Sequence, residues 1–151
     1  MIGTDKDGFI REVFHRRISN KITKALLKTN FSPIAATTVS FIFGMLTAFL
    51  FFLGDYIFLV SGAVVIQISY IFDCVDGELA RVDKKRSTRF GVWYDEVFDR
   101  LKIVIILSGL AGGYFLKTQD ITILILLIIY IFTLFIQNYS IYTFRAKFKM
   151  D

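Results

Sequence analysis

Residues 73–99 read DCVDGELARVDKKRSTRFGVWYDEVFD, and they place acidic side chains between long apolar segments. On a helix, Asp73 and Asp76 lie one turn apart and share a stripe with the small residues Gly77 and Ala80. This face therefore combines two carboxylates with two positions where a ligand can approach the backbone. Such a face is costly near a bilayer unless it binds a cation.

A second stripe follows at a spacing of four residues, in Gly91, Asp95 and Asp99. Carboxylates this close to one another favour a cation between them. Oxygen ligands without a histidine or cysteine cluster favour Mg²⁺, Mn²⁺ or Ca²⁺ over zinc. Two striped helices joined by a basic loop therefore predict a site for divalent cations and phosphate, and two ions about 3.5–4 Å apart are suited to clamp a diphosphate.

These residues resemble the signature of the CDP-alcohol phosphotransferase family, which is D-x-x-D-G-x-x-A-R, a spacer, and then G-x-x-x-D-x-x-x-D. The fixed positions are all present, as Asp73, Asp76, Gly77, Ala80, Arg81, Gly91, Asp95 and Asp99. The resemblance implies Mg²⁺-dependent transfer of a substituted phosphate from a CDP-linked donor to an acceptor alcohol, with release of CMP. A single Asp–Arg pair at a membrane helix end would more simply be an interfacial cap, and the full pattern disfavours that alternative.

The resemblance also implies roles for individual residues. The expected metal ligands, which would hold two Mg²⁺ ions or Mn²⁺ in their place, are Asp73, Asp76, Asp95 and Asp99. Asp99 is also the expected general base. The expected nucleotide-binding residues are Thr37, Gly77, Ala80, Arg81 and Gly91. Thr37 matches the threonine of a P-N-x-x-T helix start found in the family, although its hydroxyl could equally bond its own helix.

The composition indicates an all-α integral membrane protein. The 151 residues are 55% hydrophobic, with a mean hydropathy of +0.59, and the single cysteine permits no internal disulfide. The net charge is +5, but the basic residues flank apolar segments and do not interleave with aromatic residues. Anionic lipid headgroups and phosphorylated substrates are therefore the expected partners, and nucleic acid is not.

We expect two regions along the chain. Residues 1–31 form a juxtamembrane amphipathic helix on the bilayer surface, or alternatively a helix packed on another domain. Residues 32–151 form the transmembrane domain. Its expected spans are 34–53, a second starting near 57 and running into the first carboxylate stripe, 88–115, and a fourth from about 121 to 136. Because the family typically has six spans, we expect either that the domain is truncated at its C-terminus or that the two helices that close the acceptor side are absent. We also expect it to lack an N-terminal soluble domain.

Charge and family resemblance together give an expected topology and assembly. Basic residues crowd the N-terminal helix, the loop at 81–89 and the C-terminus. The positive-inside rule then places both termini and the aspartate motif on the cytoplasmic side of the cell membrane. Homodimerisation is implied by the family.

A narrower resemblance concerns the substrates. The strings DGFIREVFHRRIS (7–19), QISYIFDCVDGELAR (67–81) and FGVWYDEVFDR (90–100) are similar to the membrane domain of archaeal-type di-myo-inositol-phosphate-phosphate synthases. That similarity implies CDP-inositol as donor and inositol phosphate as acceptor. Candidate contacts to an acceptor phosphate are Arg16, Arg17, Arg89, Arg100 and Lys102, each of which could equally be a lipid-facing or helix-end cation.

Three alternative functions remain open at the level of sequence. The first is a phospholipid synthase that uses a CDP-diacylglycerol or CDP-archaeol donor. The second is a membrane prenyltransferase, which also uses aspartate clusters and Mg²⁺ on a diphosphate. The third is a membrane protein that binds cations without catalysis.

Overall fold

The computed structural model describes residues 16–82 and 88–148. This part of the chain forms five α-helices and contains no β-strand. In chain order they are α1 (Arg16–Leu26), α2 (Pro33–Leu53), α3 (Tyr56–Val82), α4 (Arg89–Thr118) and α5 (Thr122–Phe148). Helices α2 to α5 are long and apolar enough to cross a membrane. The predicted all-α membrane fold and its four spans are confirmed.

The helix ends follow local sequence signals. Ser32 caps α2, and its hydroxyl accepts a hydrogen bond from the Ala35 N–H at 3.1 Å. Gly54 ends α2 in the left-handed region with φ 71°. Thr88 caps α4 in the same way as Ser32 caps α2. Helix α4 ends at Thr118, a few residues after the predicted end of the third span, and α5 continues as helix beyond residue 136, where the predicted fourth span ends with its apolar run.

Helix α2 lies at the centre of the fold and packs against both α3 and α4. Its buried face after the first residue consists of small side chains, namely Ala36, Thr37, Ser40, Gly44, Thr47 and Ala48. Small residues allow two helix backbones to approach closely, which is how membrane helices commonly associate. This stripe therefore determines how near α2 comes to the helices that carry the carboxylates.

The glycines of α4 meet this face. A Cβ atom added to Gly109 would lie 2.3 Å from the carbonyl oxygen of Ala48, and one added to Gly113 would lie 2.4 Å from that of Phe51. These two glycines therefore allow the backbone of α4 to lie close against that of α2. Because Gly109 and Gly113 are used within the chain, they do not offer a face for the predicted homodimer.

Helix α1 packs against α3. Its buried residues are Ser19 and Thr23, whose hydroxyls donate to the two carboxylate oxygens of Glu78 at 2.6 and 2.7 Å. On the same side, Ile22 and Leu26 pack against the core formed by Ala36, Val75 and Leu79. Part of the face that we expected on the bilayer surface therefore contacts the protein. The helix ends at Leu26, before the predicted end at residue 31, and the N-terminal part of the prediction, residues 1–15, lies outside the described residues.

Candidate active site

The site forms where the C-terminal half of α3 and the N-terminal half of α4 meet the start of α2. Helix α3 contributes Asp73 and Asp76, and α4 contributes Asp95 and Asp99. Asp76 is buried, with 5% of its surface exposed, and the other three carboxylates are half-buried. The predicted stripes therefore face a common centre, and their carboxylates fall into two pairs with different partners.

The first pair comprises Asp76 and Asp95, which lie on either side of Thr37. The Thr37 Oγ1 atom is 2.8 Å from Asp76 Oδ2, 3.4 Å from Asp95 Oδ1 and 3.3 Å from the Pro33 carbonyl oxygen. A hydroxyl has one proton to donate, and the shortest distance assigns it to Asp76. Of the two roles left open for Thr37, the bond to its own helix is present, but the stronger contact is to a carboxylate.

The second pair comprises Asp73 and Asp99, which share the ammonium group of Lys102. The Lys102 Nζ atom donates to Asp73 Oδ1 at 2.6 Å, to Asp99 Oδ1 at 2.8 Å and to Ser40 Oγ at 2.9 Å. The Lys102 side chain is only 12% exposed. We expected Lys102 to contact an acceptor phosphate, whereas the structure places it inside the carboxylate cluster. The physical reason is that it lies three residues after Asp99 on the same helix face, and opposite charges attract.

The carboxylate cluster suits a hard divalent cation by its chemistry. Its donors are carboxylate and hydroxyl oxygens on facing helices, which Mg²⁺ and Mn²⁺ prefer. The Lys102 ammonium already holds a cation position between two of the carboxylates. Within residues 16–82 and 88–148, however, no three acidic, histidine or cysteine side chains converge as a ready-made metal site. A metal shell would therefore require these side chains to leave their present partners or to be joined by substrate oxygens.

A cleft of about 80 Å³ opens onto the first carboxylate pair. Its lining residues are Pro33, Thr37, Asp76, Gly77, Ala80, Thr88, Gly91, Val92 and Asp95. Four of the five predicted nucleotide-binding residues are therefore in one cleft. The fifth, Arg81, lies beside it, with its Nη2 atom 3.6 Å from the position of a Cβ at Gly77. Because a Cβ at Gly77 would meet nothing nearer, a ligand can approach the α3 backbone there.

The remaining acceptor candidates lie apart from the cluster. Arg16, Arg17 and Arg89 are exposed, and Arg16 lines a second groove, between α1 and α3, together with Arg81. Arg100 pairs with Glu96 at 2.6 Å, one turn earlier on α4. The structure therefore does not bring the five predicted cations together into one phosphate site.

Two functional contacts were missed at the level of sequence. Ser40 is fully buried and accepts from Lys102, while its own hydroxyl donates to the carbonyl of Ser69 at 2.9 Å. The sequence feature that could have identified Ser40 is its position one turn after Thr37, among the small residues of α2. Glu78 accepts hydrogen bonds from the hydroxyls of Ser19 and Thr23 on α1, and these partners were not predicted. No pattern of neighbouring residues in the sequence predicts the contact between Glu78 and α1.

The fold and the site define an integral membrane protein of the helix-bundle class, with a carboxylate-walled cleft between its spans. Comparison with known sequences identifies the family. The chain belongs to the CDP-alcohol phosphatidyltransferase family, whose profile matches residues 31–150.

Named relatives fall in the same family. A bifunctional IPC transferase and DIPP synthase of Aquifex aeolicus is 35% identical over 70% of the chain, and an archaetidylinositol phosphate synthase of Pyrococcus horikoshii is 31% identical over 71%. A crystal structure of Mycobacterium tuberculosis phosphatidylinositol phosphate synthase with CDP-DAG bound matches 74% of the chain with a TM-score of 0.63 and 30% identity. The chain spans 23%, 54% and 57% of these three proteins, respectively.

Proposed function

We propose that this protein transfers a substituted phosphate from a CDP-linked donor to an acceptor alcohol and releases CMP. The observation that carries the proposal is the cleft, which brings Thr37, Gly77, Ala80 and Gly91 together beside Asp76 and Asp95. Family membership supports the same reaction. It also disfavours the prenyltransferase and the purely cation-binding alternatives.

The proposed donor position follows from the shape and charge of the cleft. The open surface above Gly77 would admit the nucleotide, and the Arg81 guanidinium beside it would contact the diphosphate with its planar set of donors. Mg²⁺ or Mn²⁺, held by Asp73, Asp76, Asp95 and Asp99, would supply positive charge to offset the charge of the diphosphate and of the carboxylates. Thr37 would keep Asp76 in place through its 2.8 Å hydrogen bond.

The proposed chemical step uses Asp99 as general base. Its carboxylate is partly exposed, with 37% of the side chain accessible, so an acceptor hydroxyl can reach it. Asp99 would take the proton of that hydroxyl while the oxygen attacks the β-phosphorus. The bond from the β-phosphorus to the bridging oxygen breaks, and CMP leaves with that oxygen. For Asp99 to act in this way, its hydrogen bond from Lys102 must loosen.

The proposed acceptor is inositol phosphate, because the relatives include proteins named archaetidylinositol phosphate and phosphatidylinositol phosphate synthase. The donor is either CDP-inositol or a CDP-linked lipid. The lipid donor is favoured by the M. tuberculosis structure, which contains CDP-DAG. We also propose that the site and both termini face the cytoplasm and that the protein is a homodimer, since basic residues flank the site end of the spans and the family implies dimers.

The first test is CDP binding to the purified protein in detergent, with and without Mg²⁺. We expect Mg²⁺-dependent binding that Asp95→Asn weakens by at least about tenfold, since a charge-assisted ligand is removed. Glu96→Gln is the matched control, because Glu96 is the next residue but pairs with Arg100. Equal CDP affinity in the two variants would contradict the proposed site. Turnover with CDP-inositol and with CDP-diacylglycerol, each with inositol phosphate, then separates the donors.

A further inference from the structure

The two carboxylate pairs differ in what offsets their charge. Asp76 and Asp95 have the neutral hydroxyl of Thr37 and line the cleft. Asp73 and Asp99 have the ammonium of Lys102 and are not among the cleft-lining residues. We propose that Lys102 is a built-in counter-cation that competes with divalent metal for Asp73 and Asp99. The proposal deepens the proposed function, on which it rests for the assignment of these aspartates as metal ligands.

The Lys102 ammonium donates all of its protons to nearby oxygen atoms. An ammonium has three protons, and all three have acceptors here, at 2.6 Å on Asp73, 2.8 Å on Asp99 and 2.9 Å on Ser40. Two of the acceptors are carboxylates on different helices, and the side chain is 12% exposed. A bridging group of this kind neutralises part of the cluster and joins α3 to α4 without any metal.

Helix α2 is shaped to admit this lysine. A Cβ added to Gly44 would lie 2.6 Å from Lys102 Cγ and 3.0 Å from Cδ, so the glycine leaves the space that the aliphatic stem fills. One turn earlier, Ser40 accepts from the ammonium and is itself held by Ser69, whose hydroxyl donates to the Ser40 carbonyl at 2.8 Å. Helix α2 therefore provides space for the aliphatic stem of Lys102 and a hydrogen-bond acceptor for its ammonium group.

The consequence is an ordered use of the cluster. A divalent cation that enters through the cleft meets Asp76 and Asp95 first, because these two carboxylates form part of its wall. At Asp73 and Asp99 a cation must displace the ammonium from the two Oδ1 atoms or share the carboxylates with a like charge. We therefore expect two classes of metal affinity, and the weaker class is set by competition with Lys102.

The test measures Mn²⁺ binding to the purified protein in the absence of nucleotide, with electron paramagnetic resonance as the detection method. Lys102→Met keeps most of the stem and removes the charge. We expect it to strengthen the weaker class of Mn²⁺ binding by about tenfold or more, and to melt at a lower temperature than the wild type in EDTA but not in Mn²⁺. Lys117→Met is the matched control, because Lys117 also pairs with a carboxylate, that of Asp55, and it should change neither readout.

Two results would overturn the proposal. One is an unchanged Mn²⁺ affinity in Lys102→Met, and the other is a weaker affinity, which would make Lys102 a support for the ligands and not a competitor. If Lys102→Met does not fold even with Mn²⁺, Gly44→Ala decides, because its Cβ displaces the lysine stem without changing charge. Unchanged Mn²⁺ affinity in Gly44→Ala would then refute the competition. The Mn²⁺ experiment contains no nucleotide, so its result can be interpreted even if the protein does not bind CDP.

Discussion

Replacing Gly109 with alanine should separate α2 from α4 and destabilise the fold. The new Cβ would lie 2.3 Å from the Ala48 carbonyl oxygen and 2.8 Å from its carbonyl carbon, where ordinary contacts begin near 3.4 Å. The helices must therefore part locally by about 1 Å, and overpacking of this kind costs about 1–3 kcal/mol. The upper half of that range applies because the opposing atoms are backbone. The helix preference for alanine returns about 0.5–1 kcal/mol, which leaves a net loss of about 1–2.5 kcal/mol.

Gly112→Ala provides the matched control. It gains the same helix preference, but its Cβ would lie 3.2 Å from a ring carbon of Phe52, a side chain that can tilt away. We expect it to be neutral or slightly stabilising. The two variants should therefore differ by about 2 kcal/mol, or roughly 4–8 °C in melting temperature for a chain of this length.

The assay is thermal unfolding in detergent, followed by circular dichroism, with CDP binding measured on the same samples. Gly109→Ala should also weaken CDP binding, because Thr37 of α2 and Asp95 of α4 both line the cleft. If Gly109→Ala melted at or above the temperature of Gly112→Ala, the backbone contact at Ala48 would not be present in the protein, and the reasoning would fail.

Two further changes test individual hydrogen bonds. Thr37→Val keeps the side-chain shape but deprives buried Asp76 of its hydrogen-bond donor, which should lower the free energy of unfolding by about 1.5–3 kcal/mol. Thr37→Ser keeps the hydroxyl and should melt close to the wild type. Equal melting temperatures of the two variants would show that the hydroxyl does not stabilise the fold. Glu78→Leu removes the acceptor of two buried α1 hydroxyls, so the amides of α1 should exchange hydrogen about tenfold faster or more, with those of α2 unchanged; unaltered exchange in α1 would show that its apolar contacts alone hold it.

The features predicted correctly from sequence were those that depend on neighbours along the chain. Helix α2 starts at Pro33, next to the predicted span start at residue 34, because Ser32 supplies an N-cap oxygen and a proline without an N–H fits the first helical position. The carboxylate stripes followed from helical spacing, which places residues three or four apart on one face.

What could not be predicted was the choice of partner across helices. Lys102 and Arg100 looked equivalent in the sequence, since both follow Asp99 closely. Helical rotation separates them: Lys102 points to the cluster and Arg100 to Glu96 on the outer face. The contact between Glu78 and α1 joins residues more than fifty positions apart, so it depends on how α1 packs against α3.

The small-residue face of α2 explains why packing and chemistry cannot be separated in this protein. The face brings the α2 backbone close to α3 and α4, and at that distance a short hydroxyl is long enough to reach a carboxylate. Thr37 and Ser40, one turn apart, therefore reach different carboxylate pairs, the first directly and the second through Lys102. A change that moves α2 by an ångström must alter both pairs together. Stability and CDP binding should consequently fall in parallel for substitutions that push α2 away from α3 and α4, whereas separate surfaces for packing and for nucleotide binding would not show this correlation.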